Sequence, residues 1–162
     1  MDYIWSPWRM EYISRSDQKT SRCIFCDALQ DNKDPENFIV HRASQGFVIL
    51  NRYPYTSGHL MVVPYAHQSS FDILESETRA ELMELMAHAV KVLGDLYNPA
   101  GFNVGANIGT AAGAGVTGHI HFHVLPRWIG DTNFMTTLAS TRVLPEPLED
   151  TYTKLRSRWD EL

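Results

Sequence analysis

The segment His119-Ile120-His121-Phe122-His123-Val124-Leu125 constrains this chain more than any other. Successive side chains of an extended strand point to opposite faces. The three histidines therefore share one face, about 6.5–7 Å apart, and Ile120, Phe122 and Val124 share the other. Such a strand needs a core beneath its apolar side and partners for its imidazoles, because buried polar rings without them are costly. Three uses are open: a solvated polar face, a metal site built on His-x-His, or a row of imidazoles along a phosphate chain.

The residues just before this strand bear on that choice. Gly109-Thr110-Ala111-Ala112-Gly113-Ala114-Gly115-Val116-Thr117-Gly118 is rich in glycine. Glycines let consecutive backbone N–H groups turn toward one anion. The loop holds no lysine and does not match Gly-x-x-x-x-Gly-Lys-Ser/Thr, so it is not an ordinary ATPase loop. Imidazole suits phosphate chemistry because it is largely neutral near pH 7 and can attack without a strong base.

Size and charge limit the partners. The chain has 162 residues and a net charge of −5, which fits one domain spanning 1–162. A core over about 23–128 is expected, with an N-terminal arm, 1–22, and a C-terminal extension, 129–162. The acidic balance argues against general nucleic-acid binding. Apolar runs such as Leu60–Val63 are far shorter than the about 20 residues a bilayer needs, so no membrane partner is expected. Met1-Asp2-Tyr3-Ile4-Trp5 does not read as a secretory leader. A cytoplasmic location is expected, where Cys23 and Cys26 would not form a structural disulfide.

Periodicity gives the elements. Short Val- and Ile-rich runs at 38–41, 46–51, 58–63, 102–108 and 119–125 read as strands. A helix is expected over 77–97, with Leu82, Leu85, Met86, Ala89, Val90, Leu93 and Leu96 as its apolar stripe. Ser76 or Thr78 would cap it and Asn98-Pro99 would end it. A second helix is expected over 147–162, and 23–30 reads as a short helix or turn. Most connections are too short for parallel crossovers, the long helix excepted. These features predict an α+β domain with a mainly antiparallel five-stranded sheet, one long helix and a C-terminal helix. His41 and His88 are expected at the surface. The four tryptophans read as packing or interface anchors.

His119-Ile120-His121-Phe122-His123-Val124-Leu125-Pro126-Arg127 resembles the signature of the histidine-triad family of nucleotide hydrolases and transferases. Asn51-Arg52-Tyr53-Pro54 and Gly58–His67 are similar to that family's ribose-binding strand and the strand after it. Trp5–Tyr12 and Gly130–Met135 resemble its diadenosine tetraphosphate phosphorylase branch. The resemblance implies a histidine-triad fold with His121 as nucleophile, His59 beside it, and His123 on phosphate oxygens and the leaving group. It further implies Asn107 at the α-phosphate and Asn51 at the ribose, where a turn residue is the alternative. The base would lie against Phe25 and Ile49, where a plain core role is the alternative. Many members carry glutamine followed by Ser or Thr before the triad. This chain reads Ala114–Gly118 there, so backbone N–H groups, including that of Gly115, and Thr117 would stand in. Arg127 would meet a distal phosphate or lie on the surface.

Cys23-Ile24-Phe25-Cys26 has the spacing of a zinc half-site; two free thiols and a redox pair are the alternatives. The resemblance supplies His67 and His119 as the other ligands, giving a closed, structural Zn²⁺ site. The implied activity is cleavage of a dinucleoside polyphosphate at the α-phosphate through a nucleotidyl-histidine. Phosphate or water would be the acceptor, Mg²⁺ could accompany the substrate, and a homodimer is expected. The alternative is a nucleotide-binding adaptor with weak phosphoramidate hydrolase activity. A sugar-phosphate uridylyltransferase is disfavoured, since that related group commonly has glutamine where His123 stands.

Overall fold

The computed structural model describes residues 23–131 and 145–162. Helix α1 (Ile24–Asp31) and a single helical turn, α2 (Asp34–Asn37), precede strands β1 (Ile39–Arg42), β2 (Gly46–Leu50) and β3 (Leu60–Pro64). The long helix α3 (Ser76–Tyr97) leads to β4 (Gly101–Ala106) and β5 (Phe122–Arg127). Helix α4 (Leu148–Trp159) follows. The expected α+β architecture is therefore present.

The five strands form one sheet in the order β1-β2-β3-β5-β4, and every neighbouring pair is antiparallel. Strand β5 lies between β3 and β4, so α3 joins two parallel strands that do not touch. That is the one long crossover in the sheet, and only a helix of this length spans it.

Alternation splits the sheet's side chains between two cores. Val40, Val48, Leu50, Leu60, Val62, Ile120 and Val124 pack beneath α3 and α4. Ile39, Phe47, Ile49, Met61 and Val63 face the other way and pack with Phe25 and Ala28 of α1. The apolar stripe of α3 runs through Leu82, Leu85, Met86, Ala89 and Leu93 as expected, and Val92 joins it. Asn98 closes α3 in the left-handed conformation, its N–H donating to Gly94 O at 3.0 Å.

Some expectations need correction. The formal strand β5 starts at Phe122, because ladder pairing with β3 ends at the Val62–Phe122 pair. Residues 119–121 keep the alternation without pairing: Ile120 enters the core, and its N–H donates to Gln68 O at 2.6 Å. Neither Ser76 nor Thr78 caps α3. Glu75 holds that position without a side-chain hydrogen bond, and the buried Thr78 hydroxyl turns to Gln45 instead. Residues 34–37 form a helical turn between α1 and β1.

His41 and His88 are half-buried rather than surface residues. They hold Trp159 between them: His41 stacks on its ring at 5.4 Å, and His88 meets it edge-on at 4.6 Å. The Nε2–H of His88 also donates to Trp159 O at 3.0 Å. Burial lowers the pKa of His41. Trp159 is thus the anchor that fastens α4 to α3 and β1. Trp5 and Trp8 lie outside the described residues. Truncating Trp159 to alanine should destabilise the fold by about 3–5 kcal/mol. Urea unfolding checks this: the midpoint should fall at unchanged slope, and an unchanged midpoint would contradict the anchoring role.

Candidate active site

The turn between β2 and β3 sets the first half of the site. Asn51 extends the ladder by donating its N–H to His59 O at 2.9 Å. Its side-chain oxygen accepts the Tyr53 N–H at 2.9 Å, which tightens the turn. Gly58 adopts φ +75°, and a β-carbon there would meet Leu93 at 2.8 Å. This close passage leads directly into His59, which is wholly buried.

The donors around His59 fix a chain of tautomers. Its Nδ1 accepts the backbone N–H of Tyr55 at 3.1 Å and the Asn51 side-chain amide at 3.3 Å. The ring proton therefore sits on Nε2, which donates to His123 Nδ1 at 2.8 Å. His123 in turn carries its proton on Nε2. His121 has the opposite arrangement: its Nδ1–H donates to His119 O at 2.9 Å, leaving Nε2 with the lone pair. Burial lowers the pKa of His121, against the raising effect of that carbonyl. The result is a neutral imidazole with a basic nitrogen beside a ring that presents an N–H donor, their ring centroids 4.9 Å apart.

Both rings line a cavity of about 770 Å³. Its walls also include Asn51, Asn107, Gly115, Phe25 and Ile49. Asn51 thus both builds its turn and faces the cavity. Gly109 and Gly113 take positive φ, and the amides of Gly113 and Ala114 fold back on the carbonyls of Thr110 and Gly109. The loop is therefore a shaped turn, and Gly115 and Val116 on its second limb reach the wall. Thr117 is exposed and does not line the cavity, which corrects its expected place. His59 lies behind His123 rather than on the wall. Arg127 is turned away: Asp131 holds it in a two-pronged ion pair, and Asn103 accepts from it at 2.6 Å.

The sequence reading missed Met61 and Tyr55, both of which line the cavity. Met61 was hidden inside a strand. Its alternation with Val62 was the available signal. Tyr55 stacks near His123 at 6.1 Å, a contact no local pattern encodes.

His119 does not line the cavity. It belongs to a second group, Cys23, Cys26, His67 and His119, whose ligand atoms all lie within 4.8 Å of one another. Cys23 Sγ and Cys26 Sγ stand 3.3 and 3.7 Å from His119 Nδ1, and Cys26 Sγ stands 3.3 Å from His67 Nδ1. A zinc tetrahedron has sulfur–nitrogen edges of about 3.6 Å, so the donor set fits such an ion. The Nε2–H of His119 donates to Pro64 O at 2.9 Å, which presents Nδ1 as a lone pair. Burial and the Cys23 thiol push the Cys26 thiol up to about 11. A metal bound here would take Cys26 as a thiolate and release its proton. These four residues could hold a metal.

An antiparallel sheet that carries a histidine row beside a glycine loop is the arrangement this chain shares with known proteins. The chain belongs to the histidine triad (HIT) family, whose domain model matches residues 32–128. It is 38% identical over 162 residues to an AP-4-A phosphorylase of Mycobacterium tuberculosis, covering 96% of this chain and 83% of that protein. A Zn-bound histidine triad family protein from Mycobacterium smegmatis superposes with a TM-score of 0.70 at 25% identity, covering 88% of this chain and 96% of the other. A histidine triad nucleotide-binding protein from Sulfolobus tokodaii gives 0.71 at 27% identity, covering 86% and 93%.

The tautomers can be read directly. Nitrogen-15 imidazole spectra near neutral pH should show His121 protonated at Nδ1 and His123 at Nε2. The reverse pattern on either ring would contradict the hydrogen-bond chain. Metal added to the reduced protein should shield Cys23 and Cys26 from alkylation. Equal labelling with and without it would exclude the cluster as a metal site.

Proposed function

We propose that this chain cleaves dinucleoside polyphosphates at the α-phosphate through a nucleotidyl-histidine, with phosphate or water as the second acceptor. One observation carries the reading. The Nδ1–H of His121 is committed to His119 O, so its Nε2 lone pair belongs to a buried, neutral ring on the cavity wall. The 38% identity to an AP-4-A phosphorylase supports the substrate class.

In the first step, Nε2 of His121 bonds to the α-phosphorus as the bridging P–O bond breaks. The leaving nucleotide departs as a phosphate anion whose oxygen accepts a hydrogen bond from the Nε2–H of His123, and His59 backs that ring through its own Nε2–H. In the second step, an oxygen of phosphate or water bonds to the phosphorus and the P–N bond breaks. The lone pair returns to His121, and the proton that a water acceptor loses leaves on the product phosphate. Asn107 and the loop near Gly115 would hold the phosphate, and Asn51 the ribose. Phe25 and Ile49 would provide the apolar face for the base. Cys23, Cys26, His67 and His119 would hold Zn²⁺, which supplies a structural tie rather than a reacting centre, because all four tetrahedral positions are protein ligands.

Diadenosine tetraphosphate given to the protein with phosphate should yield ADP and ATP. Yield of AMP and ATP in plain buffer identifies water as the acceptor. His121→Ala should abolish turnover while AMP still binds. His123→Ala should lower the first step by about 10²–10³-fold, the range for a lost preorganised hydrogen-bond donor. Wild-type turnover in His121→Ala overturns the nucleophile. Tight nucleotide binding with negligible cleavage of every polyphosphate tried would favour the adaptor reading instead.

A further inference from the structure

Helix α1 takes part in both sites. Six of its eight residues, Ile24, Phe25, Asp27, Ala28, Gln30 and Asp31, line the cavity. Its first residues carry the metal cluster: Cys23 is the N-cap, and Cys26 lies one turn on. Little else holds α1 among the described residues. It is two turns long, no side chain caps its start, and only Phe25 and Ala28 are buried. A helix this short is not stable by itself.

The other two cluster residues are anchored independently of α1. His67 follows β3, and His119 stands two residues before His121. Phe25, between the two cysteines, touches both sides of the arrangement. Its ring lies 5.4 Å from that of His119 and 5.0 Å from that of His121. An ion shared by the four ligands would therefore pin one wall of the cavity to the segment that carries the central histidine.

We propose that metal and nucleotide bind this chain cooperatively, with α1 as the coupling element and Phe25 as a positioning residue. This inference rests on the nucleotide-binding reading above and adds that the metal tunes it. With the cluster open, α1 is held by the packing of Phe25, Ala28 and Leu29 and by the Asn37–Asp31 hydrogen bond, and the cavity wall can move. With the cluster closed, the wall is preformed, and a nucleotide need not order it on binding. Coupling is reciprocal by linkage: whatever factor the metal adds to nucleotide affinity, the nucleotide adds to metal affinity.

The experiment measures both arms on the full chain with Zn²⁺ and AMP as probes. Calorimetry should show AMP binding about 5–150-fold more tightly to zinc-loaded than to zinc-free protein. Competition with a chromophoric chelator should show AMP tightening zinc by the same factor. Hydrogen exchange over residues 24–31 should slow on zinc loading, a readout independent of catalysis. His67→Ala removes an exposed ligand that does not line the cavity, and its AMP affinity should match that of the zinc-free chain whatever zinc is added. Equal AMP affinity in both forms overturns the coupling and leaves the nucleotide reading intact. If AMP binds neither form, the nucleotide reading fails and this inference with it. If the zinc-free chain loses its far-UV spectrum, the chelator arm on loaded protein still decides, and a ratio of one there overturns the proposal.

Discussion

The hydrogen bond from His121 Nδ1 to the carbonyl of His119 spans two residues of one extended segment, and the chemistry of the site depends on it. A ring with its Nδ1–H committed to a carbonyl has one tautomer, and that tautomer leaves Nε2 basic. The bond can form because residues 119–121 have no ladder partners, so the His119 carbonyl is turned to the ring rather than to a neighbouring strand. Ile120 holds this stretch in place from beneath, buried under α3. Packing on one side of the segment and proton placement on the other are thus two results of the same alternation.

That alternation is why much of the fold and the site could be read from the sequence. Short Val- and Ile-rich runs mark the five strands, alternation marks the faces of the histidine segment, and the stripe on α3 marks the helix over them. His121, His123, Asn51, Asn107, Gly115, Phe25 and Ile49 come together on one cavity wall. What stayed hidden depends on contacts between distant residues. The clamp of His41 and His88 on Trp159 has no local signature. Thr117 looked available because it is a hydroxyl in the right loop. The chain, however, turns Val116 to the cavity and leaves Thr117 outside. The side-chain pattern starts this strand at His119, whereas ladder pairing starts it at Phe122, because alternation does not report backbone pairing.

The His59–His123 pair shows how local turn chemistry reaches the cavity. Asn51 builds the turn, the turn delivers the Tyr55 N–H to His59, and His59 passes its own N–H to His123. The Tyr55 N–H can only donate, and it thereby sets the direction of the His59–His123 bond. A backbone amide, which cannot change its protonation, therefore fixes which nitrogen of His123 is the donor. That is a firmer reference than a carboxylate, because it brings no charge into a buried site.

The same economy of charge explains how an acidic chain could handle a polyanion. Among the described residues lining the cavity, Arg52 is the one lysine or arginine, beside Asp27 and Asp31. Its guanidinium already donates to Glu36 O at 2.6 Å and packs over Phe38. Phosphate oxygens would therefore be met by neutral N–H groups: main-chain amides of the glycine loop, Asn107 and the Nε2–H of His123. A lysine ammonium in their place would attract the substrate more strongly, yet it would also favour the anionic ground state over the step in which charge moves to the leaving group. Dipoles fixed by the backbone need no reorganisation as that charge moves. The glycine loop and the neutral histidine row are thus parts of one electrostatic arrangement.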